Sequence, residues 1–247
     1  MKIRVMSFNI RCCDDRDGHT VAERAPRILD VINEYDPDLI GVQEFTPVWE
    51  DHFKTICGER YGMLNKYRTA AGWIEGGPLL WKREKFILED KGWFWYSDTP
   101  DVESGDWDEL GHKRICTYVK LRCEEKEFVF MNTHFGFGDV CQQKSAELIK
   151  ERAEKFGALP YFITGDFNAK PDSPAYRVMT SFMTDANTKD LQSITYHGYH
   201  PGSDGCSHID YCFCGKGVEA LDAEIIRKTF DGKFPSDHYP LLTVLEI

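Results

Sequence analysis

The chain has 247 residues, of which 42% are hydrophobic and 29% charged, and its formal net charge is −11. This composition is typical of a globular protein and excludes a disordered chain. The acidic balance argues against a broad binding surface for long duplex DNA, but it does not exclude a phosphate ester, because a divalent metal ion can supply local positive charge. No apolar stretch approaches the ~18 residues of a membrane span. The charged, alternating N-terminus does not resemble a signal peptide, so we expect a cytoplasmic monomer without a membrane span.

The nine cysteines do not form a recognisable metal or disulfide motif. The sequence contains no CxxC pair, and an odd number of cysteines suits neither a disulfide scaffold nor a structural zinc site. Cys212 and Cys214 lie two residues apart in a strand-like segment, which predicts that both pack on one face of that strand. We therefore interpret the cysteines as structural.

The first half of the chain predicts a strand–helix–strand unit. Residues 2–10 alternate as a strand that includes Asn9, and residues 38–44 form a second strand that ends at Glu44. Between them, Thr20 and Glu23 have the spacing of a capping box and precede apolar residues at helical intervals. Pro26 offers an alternative start for this helix, because proline is also frequent in a first helical turn.

The second half repeats this order. Residues 127–135 predict a strand that includes His134, residues 142–157 a helix that ends at Gly157, and residues 161–168 another strand. Further strands are predicted within 77–97, 113–123, 207–214 and 236–247. Two such units predict an α/β fold with two packed β-sheets and helices outside them. We expect residues 1–247 to form a single catalytic domain.

The segment YFITGDFNAKPDS, residues 161–173, ends an apolar strand with Asp166 and Asn168. Side chains two residues apart on a strand share a face, so the sequence predicts that these two groups converge on one spot. Polar residues border other apolar strands in the same way: Asn9, Glu44, His134, Asp210, Asp237 and His238. A single residue of this kind is more often a turn or capping residue, but the whole set indicates a shared site.

The residue types in this set are those that metal binding and acid–base catalysis require. The oxygen ligands of Glu44, Asn9 and Asp237 suit Mg²⁺ or Mn²⁺. A histidine beside a carboxylate suits acid–base work, and Asp210 and His238 would form such a pair if their strands adjoin. A metal ion, an acid–base pair and carboxamide donors together indicate metal-assisted hydrolysis of a phosphate ester.

Six motifs in chain order resemble the endonuclease/exonuclease/phosphatase superfamily, which includes deoxyribonuclease I, neutral sphingomyelinases and poly(A) deadenylases. They are MSFNIR (6–11), PDLIGVQE (37–44), NTHF (132–135), GDFNAKPDS (165–173), HIDY (208–211) and PSDHYPL (235–241). The resemblance implies a four-layer α/β/β/α sandwich, in which two mixed sheets are flanked by helices and the site lies at one end of the sheets.

The resemblance also implies a role for each residue of the site. Glu44 would be the principal metal ligand, with Asn9 and Asp237. Asp166 would orient or deprotonate the attacking water, and Asn168 would donate to the scissile phosphate. His238, held by Asp210, would be the acid–base or phosphate-stabilising imidazole, and His134 would stabilise the phosphoryl oxygens or the leaving group. Arg114 would contact the phosphate, with a surface salt bridge as the alternative. Glu75 lies in a segment that approaches the substrate in some members.

The sequence leaves the substrate open. The GDFNAKPDS loop is closest to the deadenylase-like and sphingomyelinase-like branches, and the segment FWYSDTP (94–100) resembles bacterial members of the superfamily. We expect a phosphodiesterase for a small phosphodiester, a nucleotide end or single-stranded nucleic acid. The alternatives are a lipid-headgroup phosphodiesterase, a phosphomonoesterase, and an inactive relative that binds a phosphorylated ligand. Trp93, Trp95 and Trp107 could stack on a base or ring, although core or edge packing is the more common role of such tryptophans.

Overall fold

The structure is a computed structural model that describes residues 1–105 and 107–247. Within these residues the chain forms twelve strands: β1 (Lys2–Asn9), β2 (Leu39–Gln43), β3 (Tyr61–Leu64), β4 (Leu79–Lys82), β5 (Ile87–Trp95), β6 (Ile115–Cys123), β7 (Lys126–His134), β8 (Tyr161–Asp166), β9 (Thr184–Asp185), β10 (Asp210–Cys214), β11 (Glu219–Ile225) and β12 (Leu241–Glu246). The same described ranges contain four α-helices: α1 (Val21–Tyr35), α2 (Glu50–Cys57), α3 (Asp139–Glu154) and α4 (Pro174–Thr180). A 3₁₀ turn, Pro47–Trp49, precedes α2.

The strands form two mixed six-stranded sheets. The strand order is β11-β12-β1-β2-β4-β3 in the first sheet and β5-β6-β7-β8-β10-β9 in the second. Each sheet contains one parallel pair, β1 with β2 and β7 with β8, and its other neighbours are antiparallel. In each parallel pair, the helix α1 or α3 connects the two strands, as the sequence predicted.

Three apolar cores hold four layers together. Side chains from both sheets, including Val5 and Leu39 of the first and Phe130 and Phe162 of the second, form the central core. A second core packs α1 and α2 on the first sheet, and a third packs α3 and α4 on the second. The predicted α/β/β/α sandwich is therefore confirmed. None of the helices in the described residues has the length and apolar character needed to cross a membrane.

The capping box at the start of α1 is present as predicted. The Glu23 backbone N–H donates to Thr20 Oγ1 at 3.3 Å, and the Thr20 N–H donates to Glu23 Oε2 at 3.0 Å. These two bonds satisfy free donors of the first turn and start the helix at Val21. Pro26 therefore lies inside the helix and does not mark its start.

The second predicted helix differs at both ends. It begins at Asp139 and ends at Glu154, so that it starts and finishes about one turn earlier than the range 142–157. After Glu154, backbone N–H groups bond three residues back, as Gly157 does to Glu154 at 3.2 Å, which tightens the chain out of α-helical geometry. Gly157 has a φ of 64°, so its expected left-handed conformation is present beyond the end of the helix.

A buried polar seam joins the two sheets directly beneath the strand ends of the proposed site. Asn132 on β7 donates through Nδ2 to the Val42 carbonyl of the other sheet at 2.7 Å. Its Oδ1 accepts from Gln43 Nε2 at 2.7 Å and from Thr164 Oγ1 at 3.1 Å. A Cβ on Gly41 would lie 2.0 Å from Thr164 Oγ1, so glycine is required for this close approach. The seam fixes β2 against β7 and β8.

We expect Asn132→Ala to lower the free energy of unfolding by about 3 kcal/mol, because it leaves several buried polar groups without partners. Urea denaturation followed by circular dichroism measures this change. Asn33→Ala, at an exposed position of α1, is the control and should change stability by less than about 0.5 kcal/mol. Equal losses in the two variants would show that the seam does not contribute.

Candidate active site

Three neighbouring strands of the second sheet bring three of the predicted residues side by side. In the strand register His134 of β7 lies opposite Asp166 of β8, and Asp210 of β10 lies opposite Asp166 on its other side. In the first sheet Asn9 pairs with Gln43, and Glu44 follows directly. The carboxyl ends of the parallel pairs therefore meet at one edge of the sandwich, where a ligand site is expected.

Two residues of this edge have an unusual backbone. Glu44 and Asn168 have φ angles of 62° and 49°, in the left-handed region. This conformation costs a residue other than glycine about 1 kcal/mol, and it is retained where the surrounding structure requires it. At Glu44 it turns the chain out of β2 and directs the carboxylate towards β1 and β8.

The prediction that Asp166 and Asn168 share a strand face is wrong in its geometry. β8 ends at Asp166, and Asn168 lies in a turn in which its backbone N–H donates to Asp166 Oδ1 at 2.9 Å. The side chains still converge, because Asn168 Nδ2 lies 3.1 Å from His134 Nε2 and Asp166 Oδ2 lies 3.5 Å from the same nitrogen. The turn after β8, and not the alternation of side chains along a strand, therefore brings Asp166 and Asn168 together.

Asn9 connects the two sheets at the site. Its Nδ2 donates to Glu44 Oε1 and to Asp166 Oδ2, both at 3.0 Å. Its Oδ1 accepts from the Arg11 backbone N–H at 3.0 Å, which holds the carboxamide in this orientation. The amide nitrogen, and not the oxygen expected for a metal ligand, thus faces the carboxylates, and Asn9 positions them.

His238 and Asp210 form the expected pair, although they are 28 residues apart. His238 Nδ1 lies 2.9 Å from Asp210 Oδ2, and His238 Nε2 lies 3.7 Å from Asp166 Oδ2. Burial acts to lower the pKa of His238, but the carboxylates around it, Asp210 above all, raise it to about 10. Burial and the Asp210 charge raise the pKa of Asp166 against the opposing effect of the imidazoles.

His134 is held from both sides, and its tautomer follows from its partners. Asn168 Nδ2 can only donate, so His134 Nε2 accepts and Nδ1 donates to Glu75 Oε1 at 3.1 Å. The second hydrogen of Asn168 Nδ2 goes to the Phe135 carbonyl at 3.0 Å. Both hydrogens of the amide are thus used within the protein, so in this structure Asn168 positions His134.

Glu75 is the centre of a buried ionic network behind His134. Arg68 Nη1 and Nη2 each lie 3.2 Å from a Glu75 oxygen, and Arg114 Nη1 lies 3.5 Å from Glu75 Oε1. Although burial acts to raise it, these cations and His134 hold the pKa of Glu75 well below its usual range. Arg114 is anchored by Asp108 Oδ2, 3.3 Å from its Nε. The expected phosphate-contacting arginine is therefore buried in a fixed orientation.

These groups surround a cavity of about 500 Å³, the catalytic cavity. Of the predicted residues, seven line it: Glu44, Arg114, His134, Asp166, Asn168, Asp237 and His238. Asn9 and Asp210 are buried behind this lining and hold Glu44, Asp166 and His238 through the bonds described above. The predicted site therefore comes together in one place.

The donor set of the cavity fits a hard divalent cation. Ligand atoms of Glu44, Asp166 and His238 all lie within 4.8 Å of one another. Asp237 lines the same cavity, and burial, together with the charge of Glu44, raises its pKa. Burial also acts to raise the pKa of Glu44, but the imidazoles of His134 and His238 lower it overall. Clustered carboxylates of this kind repel one another without a cation and suit Mg²⁺ or Mn²⁺.

Sequence reasoning missed part of the cavity wall. Arg68, Trp73, Lys170 and Tyr196 line the cavity and were not predicted, and the involvement of Glu75 was only suggested. Arg68, Trp73 and Glu75 lie in an irregular loop without hydrophobic periodicity, so no local pattern marked them.

The three tryptophans considered for stacking, Trp93, Trp95 and Trp107, do not line the cavity. Trp95 is buried, and its indole N–H donates a hydrogen bond to the Arg68 carbonyl at 2.8 Å.

Comparison with known proteins agrees with this geometry. The family described as Endonuclease/Exonuclease/phosphatase matches residues 6–238. The chain belongs to this family. The predicted resemblance is thus confirmed, and members of the endonuclease/exonuclease/phosphatase family are hydrolases that act on phosphoesters.

Solved structures of the family include close matches in fold. An endonuclease/exonuclease/phosphatase family protein of Bacteroides thetaiotaomicron is 28% identical with a TM-score of 0.90, and the match covers 99% of this chain and 97% of that chain. The mannosyl-6-phosphatase Bt3783 of Bacteroides thetaiotaomicron is 27% identical with a TM-score of 0.90, covering 99% of this chain and 100% of that one.

Among curated proteins, the chain is similar to the CCR4-Not complex 3'-5'-exoribonuclease subunit Ccr4 of Aspergillus niger. The identity is 22% over 79% of this chain and 39% of the relative. The chain thus spans about two fifths of the length of this relative.

Proposed function

We propose that the protein is a divalent-metal-dependent phosphoesterase that hydrolyses a small phosphodiester by attack of an activated water. The observation that carries this proposal is the placement of Glu44, Asp166 and His238 ligand atoms within 4.8 Å of one another, beside the Asp210–His238 pair. In this proposal residues 1–247 act as one catalytic domain.

Each group has a chemical task. Glu44 and Asp237 would hold Mg²⁺ or Mn²⁺, which when bound supplies Lewis-acid stabilisation of the phosphoryl oxygens. Asp166 and the Asp210–His238 pair are jointly placed to orient a water, accept its proton and donate to the phosphoryl group. Asn9 and Asn168 hold these side chains in place through the hydrogen bonds described above. In our proposal, Asn168 contacts the phosphate by exchanging its bond to His134.

Positively charged side chains also line the catalytic cavity and would bind the negative charge of a phosphate. The buried guanidinium of Arg114 and the amine of Lys170 line the catalytic cavity and would contact the phosphate or its substituents. A cavity of this size with a few cations, of which Arg114 is buried and Lys170 exposed, suits a small phosphate ester, whereas a long duplex needs many exposed phosphate contacts.

A sugar phosphate monoester is the second candidate substrate. The observation that favours it is the similarity over nearly the whole of both chains to a mannosyl-6-phosphatase at 27% identity. In that case the Arg68–Glu75–Arg114 network would bind sugar hydroxyl groups, since planar ionic side chains make paired hydrogen bonds.

A substrate panel tests both candidates. We expect hydrolysis of bis-p-nitrophenyl phosphate with Mg²⁺ or Mn²⁺ and its loss with EDTA, with restoration on adding the metal back. The panel also includes p-nitrophenyl phosphate, mannose 6-phosphate, single-stranded oligonucleotides and sphingomyelin. Turnover that survives EDTA would refute the metal-dependent mechanism. Turnover of monoesters alone would replace the diester proposal with the second candidate.

A further inference from the structure

A second, larger cavity adjoins the catalytic cavity. It measures about 800 Å³, and its lining includes Cys12, Val21, Pro47, Val48, Trp73 and Ile74. Cys12 and Trp73 line both cavities. The Cys12 backbone N–H donates to Glu44 Oε2 at 2.8 Å, so the wall of the second cavity begins next to the expected metal ligand.

Trp73 lies at the boundary between the two cavities, since it lines both. Its indole Nε1 lies 3.3 Å from Glu75 Oε2, in the ionic network of the catalytic cavity. The side chain is nevertheless 52% exposed, and Val48 in the same lining is 58% exposed. An apolar surface of this kind, next to a polar site, is typical of a ligand subsite.

The two linings differ in charge. The catalytic cavity contains Arg11, Arg68, Arg114 and Lys170, whereas no lysine or arginine contributes to the described lining of the second cavity. Its one carboxylate, Asp14, accepts a hydrogen bond from the Val21 backbone N–H at 2.7 Å. The described lining has one basic side chain, the imidazole of His52, and its Thr46 hydroxyl already donates to the Cys12 carbonyl at 2.8 Å. An uncharged apolar group would instead bury its surface against valine, proline, isoleucine and indole.

We propose that the second cavity binds an apolar alkyl or aryl group on one arm of the phosphodiester, and that the substrate of this enzyme therefore carries such a group. The inference rests on the proposed phosphoesterase function. The phosphate would lie in the catalytic cavity, and the two adjoining cavities of unlike polarity would receive the two substituents that distinguish a diester from a monoester.

A homologous series of alkyl p-nitrophenyl phosphates, from ethyl to octyl, tests the inference. All members release p-nitrophenolate, so differences in kcat/KM report the binding of the alkyl arm. We expect kcat/KM to rise about two- to fourfold for each methylene until the cavity is filled. Val48→Asp and Trp73→Ala should reduce the octyl-to-ethyl ratio of kcat/KM at least tenfold.

The control is Val102→Asp, which introduces the same charge at a position that is 59% exposed and lines neither cavity. This variant should keep the wild-type ratio. Hydrolysis of the whole series at one common rate would overturn the inference and leave the phosphoesterase function intact. A gain with longer oligosaccharide phosphates but not with alkyl chains would also overturn it. Failure to hydrolyse any diester would refute both the diester function and the assignment of the second cavity.

Discussion

Asp166→Asn is expected to lower kcat by about 10³-fold with little change in KM. The substitution keeps the size of the side chain but removes the negative charge that lies 3.5 Å from His134 Nε2 and 3.7 Å from His238 Nε2. It also places a carboxamide where Asn9 Nδ2 needs an acceptor. Without the carboxylate, the attacking water loses its orienting or accepting group. Steady-state kinetics with bis-p-nitrophenyl phosphate measures the loss.

Asp185→Asn is a matched control for this substitution. Asp185 is as buried as Asp166, and burial raises the pKa of both. Its carboxylate accepts from Tyr176 Oη at 3.0 Å and from the Asn187 N–H at 2.9 Å, away from the catalytic cavity. We expect Asp185→Asn to affect stability but not kcat. If both variants lose activity equally, the effect reflects disturbed folding and not catalysis.

The sequence predicts a helix or strand well where the spacing of its hydrophobic residues agrees with the capping and turn residues at its ends. The two strand–helix–strand units and the capping box at Thr20 are found as expected. It does not predict α2, α4, β3, β9 and β11. The strands β3 and β9, of four and two residues, are too short to show a period, and the helices α2 and α4, of eight and seven residues, span only about two turns. β11 is an exposed edge strand, in which burial imposes little alternation.

Residues of the site were also predicted in some places and missed in others. Residues at the ends of regular strands, such as Asp166, His134 and Asp210, could be recognised because the strands themselves could be recognised. Glu75 and Arg68 are brought to the site by a loop, and their roles depend on contacts between distant segments, which no local pattern records. The sequence also predicts that Asn168 belongs to a strand, which is wrong. Asn168 has a left-handed backbone in a turn, where its N–H donates to Asp166 Oδ1.

Glu44→Gln is expected to abolish metal binding and, with it, metal-dependent turnover. The carboxylate accepts from Asn9 Nδ2 at 3.0 Å and from the Cys12 N–H at 2.8 Å, so it is held rigidly next to Asp166 and His238. Glutamine keeps the shape but replaces one charged oxygen by an amide nitrogen, which cannot bind a cation. Isothermal titration with Mn²⁺ and thermal unfolding measure this change without relying on activity.

In the wild-type protein, Mn²⁺ at 100 times its Kd should stabilise the fold by about 2.7 kcal/mol and raise the Tm by about 5–10 °C. Glu44→Gln should lose this rise. Without metal, the variant should be somewhat less stable than the wild type, because, against the effect of burial, the imidazoles of His134 and His238 lower the pKa of Glu44 overall, so the fold favours the charged form that glutamine removes.

The matched control is Asp38→Asn, another largely buried carboxylate, which is paired with Lys85 Nζ at 2.7 Å and Lys82 Nζ at 3.2 Å away from the site. This variant should unfold at a lower temperature than the wild type and still gain the full rise in Tm from Mn²⁺. If Glu44→Gln kept the rise while Asp38→Asn lost it, Glu44 would not be the principal ligand. If Glu44→Gln loses the rise and Asp38→Asn keeps it, Glu44 is needed for metal binding. Stabilisation by the metal then depends on the position of the carboxylate and not on the number of buried charges in the fold.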